Sequence, residues 1–177
     1  PLRRAPPVPP RARPDRVVAV ANRAIEGTHA TIGVLGPPAA DADMAALELI
    51  LHALTGLTSP IGVEVREHQG ASYGIDGTLT RGRLATSLAF GGHLENAKAA
   101  GALRAMLAAV RQVRAHGLAQ DVLERSRAGL LGRWRQRTST TDGLSGILVE
   151  SISLDASIET MEAWPARLAA VTAADVQ

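Results

Sequence analysis

Five histidines are the natural candidates for metal ligands in this chain of 177 residues, which contains no cysteine. None of them has another histidine three or four residues away, so no helix can present the paired imidazoles of an HxxEH or HExxH zinc site. The lack of cysteine also excludes thiolate zinc sites, iron–sulfur clusters and a cysteine nucleophile. A metal site assembled from distant histidines stays open, although each imidazole is interpreted first as a surface or locally hydrogen-bonded group. The five are His29, His52, His68, His93 and His116.

Signatures of other enzyme classes are missing as well. The segment DGLSG around Ser145 is one residue short of a GxSxG nucleophile elbow, and it falls inside a predicted helix rather than on a strand-to-helix turn. No GxGxxG follows a strand and no Walker loop is present, so nucleotide binding has no support.

The sequence pI of about 9.9 suggests nucleic-acid binding, but the basic residues are unevenly placed. Five of the 19 basic residues and only one of the 17 acidic ones lie in residues 1–16, so the rest of the chain is slightly acidic. The arginines from Arg125 to Arg137 are scattered around a predicted helix, and the aromatic content of 2% argues against stacking platforms for nucleic acid. We therefore expect no nucleic-acid partner.

Residues 1–15 are rich in Pro and Arg and are predicted to be an extended linker. They lack the apolar segment of a signal peptide, and no stretch of the chain approaches the roughly 18 apolar residues that cross a bilayer. We expect residues 16–177 to form one domain, truncated at its C-terminal end and cut from a longer polypeptide. No membrane insertion is expected.

The pattern of apolar residues predicts an α+β two-layer sandwich, in which helices cover one face of a mainly antiparallel sheet. Residues 16–22 and 29–35 are expected to pair as antiparallel strands, and a hairpin is expected in the middle of the chain, closed by Gly91 and Gly92. The second half is predicted to be mostly helical, with Gly117 as a C-cap. The predicted strands are 16–22, 29–35, 72–79 and 83–90, and the predicted helices are 41–55, 61–67, 94–116, 119–137, 141–153 and 161–168.

One segment, LTGLTSPIGVEVREHQGASYGIDG, resembles a helix–turn–strand block of the pitrilysin/insulinase family of zinc peptidases, the inverzincins. Nearly the whole chain follows the order of pieces found in that family, although Pro60 stands where the family usually has Arg. The residues that match the block are Gly56, Ser59, Val65, Arg66, Glu67, Gly70 and Tyr73.

The resemblance implies the LuxS/MPP-like metallohydrolase fold and the half of the enzyme that lacks HxxEH. Such a half carries no cofactor of its own; zinc lies in a homologous catalytic HxxEH domain, on the same precursor or a separate subunit, and the two halves enclose a peptide substrate. Arg66 and Tyr73 then correspond to the residues that reach toward the scissile peptide. A guanidinium and a phenolic O–H are suited to holding a substrate carbonyl or a developing oxyanion.

Three functional hypotheses follow. The first is a catalytically silent domain of a zinc peptidase, for which the family resemblance makes a periplasmic location an option. The second is a scaffold similar to core subunits of respiratory complexes, with no catalytic duty for Arg66 or Tyr73. The third is an autonomous metal enzyme that uses dispersed histidines. The purely structural interpretation of the pair makes Arg66 a solvated helix-end residue and Tyr73 a residue of the sheet core.

Overall fold

A computed structural model describes residues 26–177 of the chain. Three antiparallel strands form the sheet in the order β1, β3, β2, with bounds β1 Gly27–Gly36, β2 Asp76–Thr80 and β3 Thr86–Glu95. The predicted strand at residues 29–35 is confirmed, and it pairs with β3. Its expected partner, residues 16–22, lies outside the described part of the chain, as does the predicted linker.

Strand β3 is longer than predicted because Gly91 and Gly92 continue the strand instead of closing it. A side chain at Gly91 would overlap the carbonyl oxygen of Ala30 on β1, and one at Gly92 would meet the carbonyl oxygen of Gly74. These glycines therefore permit close approach of neighbouring backbones. One consequence is that His93 and Leu94 belong to the sheet, and Leu94 does not start the next helix.

The predicted strand at residues 72–79 begins late, at Asp76. A turn precedes it, in which the Ser72 hydroxyl donates to the carbonyl oxygen of Gly74 at 2.9 Å and accepts from the Gly74 amide at 3.2 Å. Short polar side chains offer the backbone such alternatives to a sheet ladder.

The helices occur where the apolar pattern predicts them, with shifted ends. Gly117 ends the helix predicted at residues 94–116 and has a φ of 72°, as expected of a glycine C-cap. In place of the last predicted helix, residues 161–168, the structure has two shorter helices, with the break near Pro165. The bounds are α1 Met44–Leu54, α2 Pro60–Gly62 continuing into a π-helical turn Val63–His68, α3 Ala99–His116, α4 Gln120–Thr138, α5 Thr141–Leu154, α6 Ile158–Glu162 and α7 Trp164–Ala170.

Two apolar clusters hold these elements together. The first lies between the sheet and helices α1 and α3, and the second joins α1 to α4 and α7 on the helical side. Burying one side of the sheet in this way confirms the predicted α+β sandwich with a mainly antiparallel sheet and a helical layer. Representative side chains are Ala30, Leu54, Phe90 and Met106 in the first cluster and Leu49, Leu123 and Leu168 in the second.

Gly62 is the glycine that fixes the segment leading to Arg66. A Cβ there would overlap the carbonyl oxygen of Gly56 and crowd that of Leu57. We expect Gly62→Ala to lower the free energy of unfolding by about 1–3 kcal/mol, the usual cost of overpacking. The matched control is Gly132→Ala on α4, where nothing lies within 4 Å of the new methyl group. It should stabilise by about 0.5–1 kcal/mol through helix propensity, so equal urea midpoints for the two variants would contradict the assignment.

Candidate functional site

The block that resembles the peptidase family begins with a tightly specified helix start. Gly56 adopts a φ of 93°, which favours glycine, and reverses the chain after α1. Ser59 then caps α2: its hydroxyl accepts from the amide of Gly62 at 2.9 Å and donates to the carbonyl of Gly56 at 2.8 Å. Pro60 occupies the first helical turn, where its missing N–H costs nothing. The departure from the family pattern at Pro60 is thus compatible with a helix start.

Arg66 lies on the π-helical turn that follows. The amide of Gln69 donates to the carbonyl of Glu64 at 3.0 Å, five residues back, which is the spacing that defines such a turn. Val65 is buried beneath the turn, whereas the Arg66 side chain is exposed. π-helical turns are rare and frequently occur at functional sites.

The Glu64 carboxylate links to two side chains at the end of this turn. It accepts hydrogen bonds from the Gln69 amide group at 2.9 Å and from His68 Nδ1 at 2.8 Å. Both interactions, that of Gln69 first, favour the charged form and lower the pKa of Glu64. The stabilisation from this carboxylate is therefore present above the ordinary glutamate pKa and is lost as the pH falls through the lowered value.

Tyr73 lies at the tip of the Ser72–Gly74 turn, and its side chain is 95% exposed. The backbone on either side is held firmly, because the carbonyl of Ala71 accepts from the Glu95 amide and that of Ile75 accepts from the Gly56 amide, both at 2.9 Å. The interpretation of Tyr73 as a core residue of the sheet is therefore wrong. A fully presented aromatic ring on an anchored turn is typical of a contact residue rather than a packing residue.

The open face of the sheet beside Tyr73 forms a concavity of about 760 Å³. Strand pairing places His29 directly opposite His93 there, with ring centroids 4.6 Å apart and ring planes at 66°. No local spacing reveals this pair, since the two histidines are 64 positions apart and the strand predicted at residues 83–90 ends before His93. Asp76 and Thr78 of β2 line the same concavity.

Arg66 is not among the residues that line this concavity. Within residues 26–177 neither the Arg66 nor the Tyr73 side chain has a hydrogen bond or ion pair, so both side chains are available to a ligand. The structure thus presents both predicted site residues to solvent from one continuous segment, and the two histidines join Tyr73 on the open face.

Four of the five arginines of α4 make side-chain contacts inside the chain. Arg127 donates to the carbonyl oxygens of Leu168 and Val171, and Arg133 contacts His52 Nδ1 at 2.8 Å. Burial lowers the pKa of His52, and the nearby Arg133 charge lowers it further. In the described part of the chain, no helix has the length and apolar character needed to span a bilayer.

A second concavity, of about 420 Å³, lies on the helical side around Arg81. The Arg81 guanidinium donates to Glu48 at 2.6 Å and to Glu150 at 3.0 Å, and its carbon lies 4.7 Å from the centre of the Trp164 ring. Burial raises the pKa of Glu48, while the charge of Arg81 opposes that rise. This network joins the β2–β3 turn to α1 and α5.

Comparison with known proteins identifies the family. Residues 1–130 match the family described as the peptidase M16 inactive domain. Among individual curated proteins, none matches this chain at a significant level.

Solved structures share the fold. A protease from Helicobacter pylori superposes with a TM-score of 0.78 at 12% identity, over 86% of this chain and 37% of its own. A peptidase M16 inactive domain from Pseudomonas fluorescens gives a TM-score of 0.72 at 19% identity, over 82% of this chain and 35% of its own. A chain of complex III from Candida albicans gives 0.71 at 11% identity, over 88% and 39%.

This chain spans well under half the length of those three chains. The match over residues 1–130, together with the fold that the structure shows, assigns it to a zinc-protease family in the branch that lacks the catalytic motif. The chain belongs to the peptidase M16 inactive-domain family, as its resemblance to the pitrilysin/insulinase peptidases predicts.

Proposed function

We propose that this chain is the catalytically silent half of a zinc metallopeptidase, which joins an HxxEH-bearing half and helps to enclose and position a peptide substrate. The observation that carries the proposal is Tyr73, the chain's single tyrosine, held on an anchored turn with 95% of its side chain exposed. Leaving a tyrosine outside the core forgoes its burial energy, and this cost has a simple explanation if the ring contacts a ligand.

Arg66 and Tyr73 supply hydrogen-bond donors of two kinds. The guanidinium is permanently charged and offers several N–H donors in a fixed fork, whereas the phenol donates a single O–H. Both would donate to the carbonyl oxygen of the peptide bond to be cleaved and would bind it more tightly as negative charge develops on that oxygen. When bound in the catalytic half, zinc supplies Lewis acidity to the reaction.

Neither donor has a partner among the described residues, which supports a role for both in holding the substrate. A donor that already served a carboxylate of its own chain would have to break that pair before it could hold substrate. Fixed donors that meet an oxyanion without reorganisation give the largest stabilisation. The anchored turn of Tyr73 and the hydrogen-bonded π-helical turn of Arg66 fix the backbone from which these donors project.

The scaffold function remains the second candidate because the fold is also that of a chain in the Candida albicans complex III structure. A scaffold would assemble with partners without contributing to peptide hydrolysis. Assembly and hydrolysis are therefore measured separately.

The test is to express this chain with the HxxEH-bearing half encoded in the same or the adjacent gene. We expect the two to co-purify and to cleave a quenched fluorescent peptide library. The HxxEH-bearing half alone should be at least about 100-fold slower, because it lacks the donors described above. This chain alone should be inactive, because it lacks HxxEH. Co-purification without any gain in cleavage would favour the scaffold function. Full cleavage by the HxxEH-bearing half alone would reject the proposed role.

A further inference from the structure

We propose that His29 and His93 form a two-imidazole binding site for a borderline divalent cation such as Zn²⁺ on the open face of the sheet. The two residues are exact cross-strand neighbours in the β1–β3 ladder, and both side chains are exposed on the face that the helices leave uncovered. Directly opposed residues have Cβ atoms about 4.5–5.5 Å apart, close enough for both rings to reach one ion.

The separation of the two rings is near that of a pair bound to one ion. The centroids lie 4.6 Å apart at an interplanar angle of 66°. Two imidazoles on one tetrahedral ion have centroids about 5 Å apart, since each ligating nitrogen lies about 2.0–2.1 Å from the metal. A movement of a few tenths of an ångström, well within the freedom of exposed rings, would bring the pair to that separation.

Neither ring has a competing partner within residues 26–177. His52 contacts Arg133 and His68 contacts Glu64, whereas the only ring contact of His29 and His93 in this part of the chain is with each other. Imidazole nitrogen favours zinc, copper and nickel over magnesium or calcium, which prefer oxygen. This preference fixes the class of ion.

The strands hold the two ligands in place. β1 and β3 pair over ten residues on each side, from Gly27 with Glu95 to Gly36 with Thr86, so the two histidines cannot slide apart without disrupting the ladder. In the same part of the chain, no group of three or more His, Asp or Glu side chains converges on a metal position. Water or an external donor would therefore complete the coordination shell.

The test titrates zinc sulfate into the tag-free chain at pH 7.5 and follows the heat of binding. We expect one ion per chain and no response to magnesium. Removing an outer partner of a ligating histidine costs about 10–100-fold in metal affinity, so His29→Ala and His93→Ala should each cost at least that much. The matched control, His116→Ala at the end of α3, should leave the affinity unchanged.

Nuclear magnetic resonance provides a readout on the unaltered protein, so the test does not depend on the variants folding. Zinc should shift the ring proton signals of His29 and His93 and leave those of His68 and His116 in place. Equal shifts of all the histidines, no heat of binding, or an equal loss of affinity in His116→Ala would overturn the site.

An ion at this site would share its concavity with Tyr73, the residue to which the proposed function assigns contact with the peptide. Only this consequence rests on the proposed function. Zinc binding by the isolated chain needs no catalytic partner, so the binding site and the peptidase role can fail independently.

Discussion

Replacing Arg81 by methionine is expected to lower the free energy of unfolding by about 3 kcal/mol, the lower end of the cost of breaking a buried ion pair. The Arg81 side chain is only 19% exposed and lies between Glu48 and Glu150. Methionine keeps much of the apolar contact with Trp164 but removes the charge, which leaves two poorly solvated carboxylates near each other with Arg137 as the nearest remaining ion-pair partner of Glu150.

The control for this prediction is Arg125→Met on the exposed face of α4. Arg125 also forms an ion pair, with Asp121 at 2.9 Å, but its side chain is 71% exposed. Exposed pairs at this helical spacing contribute about 0.3–0.5 kcal/mol. Urea unfolding curves of both variants measure the difference directly. Equal midpoints would mean that the Arg81 network adds nothing to stability beyond an ordinary surface pair.

The pH dependence of the Arg81 variant has a definite sign. Burial raises the pKa of Glu48 above its ordinary value of 4.5, so its ionised form is a cost to the folded state. That cost is full above the raised pKa and disappears as the pH falls below the ordinary value. Without Arg81 the cost is larger. The difference in free energy of unfolding between the variant and the parent should therefore become smaller as the pH is lowered from 7.5 to 5. Adding Glu48→Gln should recover part of the loss at neutral pH.

The sequence predicts the helical half well because its signals are local. Gly117 and the apolar spacing of α4 and α5 fix those elements without knowledge of the rest of the chain. The sheet is predicted less well because a glycine in a strand pattern indicates either the end of the strand or a close approach of neighbouring backbones. Gly91 and Gly92 resemble a strand end, whereas their actual role is to allow close approach to Ala30 and Gly74.

The residues of the candidate site show the same difference between local signals, which the sequence reveals, and long-range contacts, which it does not. Arg66 and Tyr73 are found from the sequence because their spacing belongs to one continuous segment and matches a family pattern. The pairing of His29 with His93 depends on the register of two strands that are distant in sequence, and no local spacing encodes that register. The Arg81 network is missed for the same reason, because its carboxylates come from α1 and α5.

In the assembled peptidase, Tyr73→Phe and Arg66→Ala are each expected to lower kcat about 100- to 1000-fold, the usual cost of losing one donor to a developing oxyanion. Phenylalanine keeps the ring of Tyr73 and removes only the O–H, so a loss confined to kcat identifies hydrogen bonding in the transition state. Both side chains are exposed, and we expect the stability of either variant to stay within about 0.5 kcal/mol of the parent.

The matched control for Arg66→Ala is Arg111→Ala on the exposed surface of α3, which removes an equal charge and should leave kcat unchanged. Arg66→Lys refines the test, because lysine restores the charge without the planar fork of donors and should recover only part of the activity. Cleavage at the parental rate by both Tyr73→Phe and Arg66→Ala would show that neither side chain contributes to catalysis.

The double variant decides whether the two donors act on one atom. If Arg66 and Tyr73 both hold the same oxygen of the scissile peptide, the loss in the double variant should be clearly smaller than the product of the two single losses, because groups that act as a unit are not additive. If they hold different parts of the peptide, the free-energy losses should add within about 0.5 kcal/mol. The first result is expected from their common segment and complementary donor chemistry; strict additivity would separate their roles.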